Sequence, residues 1–315
     1  MVQSATEFEA PTPIGIGPEP LEAVAARTPW QIFWARFRQD KLAIVGGVFI
    51  VVMVLLALGA GLSVTLTGHE PGFQDRTMLN DFGIPKGPTG EFWLGADDLG
   101  RDLFVRILYG ARTSLTIAII ATGLEVAIGV VLGMLAGFLR GWVDTVVSRA
   151  IDMILSIPFL LLGIALAVSL GASGGLVILL IVFFGWPYIA RIIRGQTLSL
   201  RETQFVEAAQ SIGAPTRWIL FREILPNLVA PIIVYATLII PVNIIAEASL
   251  SFLGVGVQEP QAAWGTMLSR ASGLAAFGAA WWYMAFPGLA LFITVLGFNL
   301  LGDGLRDALD PRTKA

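Results

Sequence analysis

The stretch that decides the fold reads EAAQSIGAPTRWILFREILPN at 207–227, and it interrupts two long apolar segments. In and just before it, apolar residues recur at i, i+3, i+4 and i+7, which predicts one apolar stripe on a short helix. This stripe consists of Phe205, Ala208, Ala209 and Ile212. Gly213 can take a positive φ and Pro215 cannot continue a helix, so we expect the chain to turn sharply there.

After the turn the apolar pattern returns on a second short helix. Its members are Trp218, Phe221 and Leu225, and Pro226-Asn227 should end it. Helices this short are not stable alone in water, so each needs a surface to lie on. The small side chains of Ala208 and Ala209 suit a helix whose backbone sits deep in a groove of another protein. The alternative is an amphipathic helix that lies on a membrane surface or covers its own bundle.

Part of this stretch resembles a known signature. Glu207-Ala208-Ala209, then Gly213, then Leu225-Pro226 are similar to the EAA signature of ABC importer permeases. In that family this loop is the coupling helix, which docks into a cleft of the cytoplasmic ATPase subunit. The resemblance implies the type I ABC importer (MetI-like) permease fold, and an ATPase-coupling site that comprises Phe205, Glu207, Ala208, Ala209, Ile212, Gly213, Leu225 and Pro226.

Composition places the chain in a membrane. Of its 315 residues, 56% are hydrophobic and only 14% are charged, whereas soluble domains are about 45–50% apolar and about 25% charged. The absence of cysteine excludes disulfides and thiolate metal sites. A net charge of −3 offers no basic field for nucleic acid.

Long apolar runs, each with no charged residue or with a single glutamate, predict an all-α integral membrane protein with six transmembrane helices. The runs are 42–68, 113–139, two within 153–190 that are separated by a Gly-rich turn at 171–175, 228–253 and 281–301. The resulting organisation is an N-terminal tail and interfacial helix at 1–40, the first transmembrane helix at 41–68, an extracytoplasmic loop at 69–112, a five-helix permease core at 113–303 with a coupling loop at 193–227, and a C-terminal tail at 304–315.

The distribution of Lys and Arg predicts the orientation. Most of the 20 basic residues fall on one side if both termini and the 193–227 loop are cytoplasmic. We therefore expect a multi-pass protein of a bacterial or archaeal cytoplasmic membrane, with both ends inside.

Two carboxylates lie within apolar spans. Glu125 and Glu247 must face protein or water, because a lipid-exposed charge at mid-bilayer costs about 2.5–3.5 kcal/mol. Asn243 lies four residues before Glu247 on the same helical face and is its expected partner. Glu125, Asn243 and Glu247 are candidates for a translocation path, with structural hydrogen bonding between helices as the alternative. Glycines recur every fourth residue at 129, 133 and 137 and predict close helix packing.

The 69–112 loop carries a cluster of acidic residues. Asp97, Asp98 and Asp102 could hold a divalent cation, but the interleaved Arg101 and Arg106 favour ion pairs within the loop. The sequence LGADDLGRD at 94–102 also resembles the second transmembrane subunit of the dipeptide, oligopeptide and nickel branch of these permeases. That likeness extends from about residue 30 to the end. It departs at Glu223, where peptide permeases often have His, and at Gln204, which leaves Thr203 as the expected helix N-cap.

Two other classes of function match parts of the sequence. Gly171-Ala172-Ser173-Gly174 resembles the nucleophile motif of rhomboid intramembrane proteases, but a serine nucleophile needs a base, and the sole histidine is His69 in a loop. A secondary transporter would not need a large docking loop, and no inverted repeat is detectable. The lysines lack the glycines of a phosphate-binding loop, so the chain should not bind ATP itself.

The resemblance supplies the remaining expectations. It implies a non-catalytic subunit, with no cofactor or metal of its own, that pairs with a second homologous permease. Two ATP-binding subunits would bind ATP and Mg, and an extracytoplasmic substrate-binding protein would deliver a peptide. Nickel chelates, glutathione and opines are the alternative substrates.

Overall fold

The computed structural model describes residues 29–276 and 278–309, and these residues are mostly helical. The helices are α1 (Pro29–Phe37), α2 (Lys41–Leu58), α3 (Ala60–Thr67), α4 (Leu103–Leu139), α5 (Gly141–Leu155), α6 (Phe159–Leu170), α7 (Gly174–Arg201), α8 (Gln204–Ser211), α9 (Thr216–Trp218), α10 (Leu225–Phe252), α11 (Trp264–Ala276) and α12 (Trp281–Leu309). A π-helical turn at Ile219–Ile224 joins α9 to α10. The predicted tail at 1–28 and the chain end at 310–315 lie outside the described residues.

Within the described ranges, five helical segments are long and apolar enough to cross a membrane. They are α2, α4, α7, the continuous run Thr216–Phe252 and α12. A sixth crossing exists if α5 and α6 count as one span, although they meet at 79°. The predicted all-α membrane architecture is therefore confirmed, with a third span that is broken rather than straight.

Pro158 explains that break. It precedes the first residue of α6, and proline both disfavours the helical conformation of the residue before it and cannot donate a helical hydrogen bond. The 12 residues of α6 reach only about 18 Å at 1.5 Å per residue, which is short of the roughly 30 Å hydrocarbon core. The predicted turn after it is present, because α6 ends at Leu170 and Gly171 has a φ of 89°.

Several predicted boundaries are wrong. The first span divides at Gly59 into α2 and α3. The 69–112 loop is too long, because α4 begins at Leu103. There the carboxylate of Asp102 accepts a hydrogen bond from the backbone N of Phe104 at 2.9 Å and stabilises the helix start. Likewise, α12 extends to Leu309, past the predicted start of the tail at 304.

The coupling loop is also shorter than predicted. Helix α7 continues to Arg201, so 193–201 is helical and not loop. Pro226 does not end the second short helix, because it falls in the first turn of α10. The preceding π turn bonds the backbone N of Leu225 to the carbonyl of Leu220, five residues back, and a proline in a first helical turn leaves no donor unpaired.

The predicted close packing at Gly129, Gly133 and Gly137 is present, and the helix that packs there is α7. A Cβ added to Gly129 would lie 2.5 Å from the Cβ of Ile189, and one added to Gly133 would lie 2.7 Å from the carbonyl oxygen of Ala190. The same face meets Thr197 at Gly137. Because the numbering rises together along both helices, α4 and α7 run parallel at backbone-contact distance.

Helices α2 and α12 form a second close pair, which is antiparallel. Gly46 lies against Gly297 and Leu300, while Ala43 lies against Gly304. The two pairs together define the ends of the bundle. One end holds α8, the start of α2 and the end of α12, and the opposite end holds the loops at 68–102 and 253–263.

Candidate functional site

Helix α8 projects from the end of α7 after a two-residue break. Thr203 has the extended backbone of an N-cap residue, φ −87° and ψ 150°, as expected from the sequence. Its hydroxyl does not cap α8, because it donates instead to the carbonyl of Leu200 at the end of α7. Thr203 therefore ties the start of α8 to the helix that precedes it.

The predicted apolar stripe of α8 is divided between two faces. Val206 and Ala209 are buried, and they pack with Ile219, Leu220 and Ile224 of the following turn. Phe205 and Ile212 are 41% and 82% exposed, and Glu207 and Ala208 are exposed beside them. The helix is thus fixed to its own chain through one face while it presents an apolar face outward.

A glycine motif ends α8. Gly213 has a φ of 77°, its N–H donates to the carbonyl of Gln210, and the N–H of Ala214 donates to the carbonyl of Ala209, both at 3.0 Å. These two bonds make the Schellman arrangement, which satisfies carbonyls that the helix end would leave unpaired. Gly213 therefore fixes the direction in which the chain leaves α8.

The turn after α8 also exposes aromatic side chains. Trp218 is 40% exposed and Phe221 is 61% exposed, whereas the neighbouring Ile219, Leu220 and Ile224 are buried. Leu225 is half-buried and packs against the inner cluster, and Pro226 is exposed. We call the exposed apolar side chains of Phe205, Ala208, Ile212, Trp218 and Phe221 the α8 surface.

A cavity of about 600 Å³ lies between α4, α7 and α10 and is open at the surface of the chain, where Tyr188 and Val242 are 59% and 61% exposed. The elbow between α5 and α6 borders it through Leu155, Ile157 and Phe159. Most of its lining is apolar. Its polar groups come from Glu125, Asn243, Tyr188 and Tyr235.

Glu125 and Asn243 are joined across α4 and α10. The Asn243 Nδ2 donates to Glu125 Oε1 at 2.6 Å and to Thr122 Oγ1 at 2.8 Å. The other carboxyl oxygen of Glu125, Oε2, is buried and has no hydrogen-bond partner. It lies over Gly185 of α7, where an added Cβ would overlap it.

Glu247 occupies a different position. Its Oε1 accepts a hydrogen bond from the Ser251 hydroxyl at 2.8 Å, and it is not among the residues that line the cavity. The expected pairing of Asn243 with Glu247 is wrong, because the Asn243 amide points across to α4 instead of along its own helix. Of the three candidates for a translocation path, the cavity brings together Glu125 and Asn243.

The loops at the opposite end are joined by buried ion pairs. Arg101 binds Asp97 at 2.6 Å and Glu259 at 2.6 Å, and Arg106 binds Glu259 at 3.1 Å. Burial alone would raise the pKa of Glu259, but the hydrogen bonds from Arg101 and the positive charges of Arg106 and Arg101 outweigh it and hold that pKa below its usual value. Ion pairing of Arg101 and Arg106 is thus confirmed.

The remaining acidic residues of this loop have separate partners. Asp98 binds Arg270 at 2.6 Å and accepts from the Tyr283 hydroxyl at 2.9 Å, and Asp102 binds His69 at 2.9 Å. Within 29–276 and 278–309, no group of three or more His, Cys, Asp or Glu residues could hold a metal ion. The ion-pair interpretation fits this loop, and the divalent-cation alternative does not.

The two residues of the protease alternative also have structural roles. The Ser173 hydroxyl accepts a hydrogen bond from the backbone N of Leu176 at the start of α7. The His69 ring binds Asp102 and stacks on Phe92, with ring centroids 4.5 Å apart. These contacts account for both side chains without a catalytic pair.

Comparison with known proteins decides the family. Residues 129–315 match the family model described as binding-protein-dependent transport system inner membrane component, and residues 28–80 match the N-terminal TM domain of oligopeptide transport permease C. The chain belongs to the family of binding-protein-dependent transport system inner membrane components. It is therefore a permease subunit of an ABC importer.

Relatives of this permease match over most of its length. The glutathione transport system permease proteins GsiD of Escherichia coli O6:K15:H31 (strain 536 / UPEC) and of Shigella boydii serotype 4 (strain Sb227) are each 43% identical over 288 residues, which cover 91% of this chain and 92% of theirs. The permease also resembles a chain of the MetNI methionine ABC transporter in inward-facing conformations, with a TM-score of 0.53 and 21% identity over 64% of this chain and 96% of that one. The likeness confirms the predicted MetI-like fold.

Sequence reasoning missed four residues of these sites. Val206 anchors α8, Thr122 and Gly185 complete the surroundings of Glu125, and Glu259 pairs with both loop arginines. Val206 and Ala209 stand at i and i+3, so their spacing carried a signal. Thr122 lies one helical turn before Glu125, so its spacing also carried a signal. Gly185 and Glu259 lie on other elements than Glu125 and Arg101, and helical periodicity gives no information about such contacts.

Proposed function

We propose that this permease forms the translocation path of an ATP-driven importer of peptides together with a second homologous permease. The names of its relatives make glutathione, itself a small peptide, the first substrate to test. Nickel chelates and opines are the remaining alternatives in the family resemblance. An extracytoplasmic binding protein would deliver the solute to the end that carries the 68–102 and 253–263 loops.

The α8 surface carries the coupling part of this proposal. Apolar side chains that stay exposed on a helix end mark sites of protein contact, and a short helix with an apolar face is suited to a groove in a partner. Because Val206 and Ala209 fix the inner face, a push on α8 passes to α7 and α10 instead of bending a loose loop. Two ATPase subunits, which would bind the ATP and Mg, supply that push from the cytoplasm.

The sequence-derived coupling residues divide by role in this proposal. Phe205, Glu207, Ala208 and Ile212 meet the ATPase subunit, and Gly213 sets the exit direction of the chain. Ala209 and Leu225 hold α8 on the bundle, and Pro226 starts α10. The chain itself performs no chemical step, since a two-state importer needs different contacts in each state and not a reaction in the permease.

The test is transport by the complete complex in proteoliposomes, with radiolabelled glutathione as the probe. Ile212→Glu should lower both glutathione uptake and receptor-stimulated ATP hydrolysis at least about tenfold, because a charge enters an apolar contact. Ser211→Ala is the matched control on the same helix, since its exposed hydroxyl bonds only to the Glu207 carbonyl of α8.

Two results distinguish the coupling role of α8 from the choice of substrate. Normal uptake by the Ile212 variant would count against α8 as the coupling element. The unaltered complex could instead fail to take up glutathione while a dipeptide-loaded receptor stimulates its ATP hydrolysis. That result would indicate that the substrate is another peptide, and it would leave the coupling proposal intact.

A further inference from the structure

The intramembrane cavity has one formal charge among the described residues that line it, and that charge is negative. Glu125 contributes it, and no Lys, Arg or His side chain lines the cavity. An anionic solute would therefore meet a carboxylate with no cation beside it, while a cationic group would find an opposite charge. At about 600 Å³ the cavity lies within the range of about 300–1,000 Å³ that is usual for small-molecule sites.

Glu125 is fully buried, and one oxygen of its carboxyl group has no hydrogen-bond partner. Asn243 occupies Oε1, while the buried Oε2 has no hydrogen-bond partner. A buried polar atom without a partner costs about 1–3 kcal/mol, so a donor that enters the cavity would find this atom unsatisfied. Because residue 185 is a glycine, no side chain of its own occupies the position where Oε2 lies.

Aromatic side chains surround the same space. Tyr188 and Phe184 of α7, Phe159 of α6 and Tyr235 of α10 all line the cavity. Aromatic faces attract cations, and ammonium groups in particular bind between such rings and a carboxylate. The cavity therefore combines the two features that recognise a primary ammonium group.

We propose that Glu125 binds the amino-terminal ammonium group of a small peptide as the peptide crosses the membrane. The Oε2 atom accepts the hydrogen bond, Asn243 orients the carboxyl group through Oε1, and the tyrosines flank the cation. This assignment rests on the proposed function, in which the cavity lies on the path of an importer of peptides. It adds a selectivity element inside the permease that prefers peptides with a free amino terminus.

Direct binding tests the assignment without transport. The purified permease–ATPase complex in nanodiscs, without the soluble receptor, is titrated with glycylglycine and with N-acetylglycylglycine, and saturation-transfer-difference NMR follows each peptide. Glycylglycine should bind and the acetylated peptide should not. Glu125→Gln keeps the shape and the Asn243 contact but removes the charge, and it should weaken glycylglycine binding about tenfold or more, as expected for loss of a hydrogen bond to a charged group.

Two further variants make the result specific. Glu247→Gln is the matched control, because it neutralises the other buried carboxylate of these spans, which does not line the cavity; glycylglycine binding should stay within about twofold of the unaltered complex. Gly185→Ala retains the charge but displaces Oε2, and it should weaken binding as Glu125→Gln does. This variant decides the question if the Glu125 variant does not assemble.

Three outcomes would overturn the assignment. They are equal binding of the two peptides, undiminished binding by both the Glu125 and Gly185 variants, and no binding of glycylglycine to the unaltered complex. The Ile212→Glu complex serves to separate failures, since it should lose transport but keep glycylglycine binding. If the coupling proposal fails, this binding test can therefore still be interpreted.

Discussion

Glu259 shows how a single side chain can join two distant loops. Its carboxylate forms ion pairs with Arg101 and Arg106, which lie at the start of α4. The side chains of both arginines are nearly fully buried. Asp97 also pairs with both arginines, and Val255, Val257 and Ala263 are buried in the adjoining core. Glu259 therefore adds an ion-paired contact between the 253–263 segment and the start of α4.

We expect Glu259→Gln to lower the unfolding free energy of the complex at pH 7 by about 1.5–3 kcal/mol, the range for hydrogen bonds to charged groups, because Arg101 and Arg106 both keep their ion pairs with Asp97. The folded pKa of Glu259 is depressed below its ordinary value of 4.5, so its contribution is present above pH 4.5 and is lost as the pH falls through the folded pKa. The difference in melting temperature between Glu259→Gln and the unaltered protein should shrink as the pH falls below that range.

Thermal unfolding of the purified complex from pH 7 to pH 3 measures this difference. Glu91→Gln is the control, because Glu91 belongs to the same group of loops but is exposed. A Glu259 variant that melts with the unaltered protein at every pH would contradict the prediction.

Among the elements, α4 and α7 act as one unit. Their backbones meet at three glycines, and α8 follows directly from α7. Under the proposed function, a displacement of α8 would pass through α7 to Gly185 and, through the glycine contacts, to Glu125 on α4. Proline within α7 at 187 and within α10 at 241 places a weakened turn of each helix next to the cavity, where bending is easiest.

We expect Gly133→Leu to separate α4 from α7 and to destabilise the permease by about 1–3 kcal/mol or more, as overpacking does. The reason is that even a Cβ at this position would lie 2.7 Å from the Ala190 carbonyl oxygen. Gly123→Leu on the same helix is the control, since no atom lies within 4 Å of an added Cβ there. Melting temperature and assembly with the ATPase subunits are the measurements; equal behaviour of the two variants would refute the packing role.

Helical periodicity was sufficient to predict most of the helices. It failed where contacts between distant parts of the chain determine which way a side chain faces. Apolar runs predicted the spans, and glycine spacing predicted that one face of α4 packs closely against another helix, but not that this helix is α7. The pattern could not show that Val206 instead of Phe205 faces inward, because both fit a helical stripe and only the fold supplies the inner surface. It also could not show that Asn243 turns to Glu125, since that choice depends on how α10 is rotated against α4.

At the scale of the whole molecule, the bundle has two unlike ends. One end carries the exposed α8 surface, and the other carries ion-paired loops. The excess of Lys and Arg at the α8 end predicts that it lies in the cytoplasm. This orientation is required by the proposed function, because ATP would act only there.

Single cysteines test the orientation directly, because the chain has none of its own. Phe82→Cys and Ser211→Cys place a thiol at an exposed position at each end. A membrane-impermeant maleimide should label the Phe82 variant in intact cells, and the Ser211 variant only after the membrane is permeabilised. The reverse pattern would invert the topology and remove α8 from the reach of ATPase subunits.

The three glycines on one face of α4 also matter during biosynthesis of the chain. The ribosome releases α4 well before α7, and during that interval the backbone at Gly129, Gly133 and Gly137 has no partner to fill it. A nascent chain that stops before residue 174 would display an open groove to insertion chaperones and membrane proteases. Synthesis of α7 closes the groove, because Ile189, Ala190 and Thr197 pack against the three glycines.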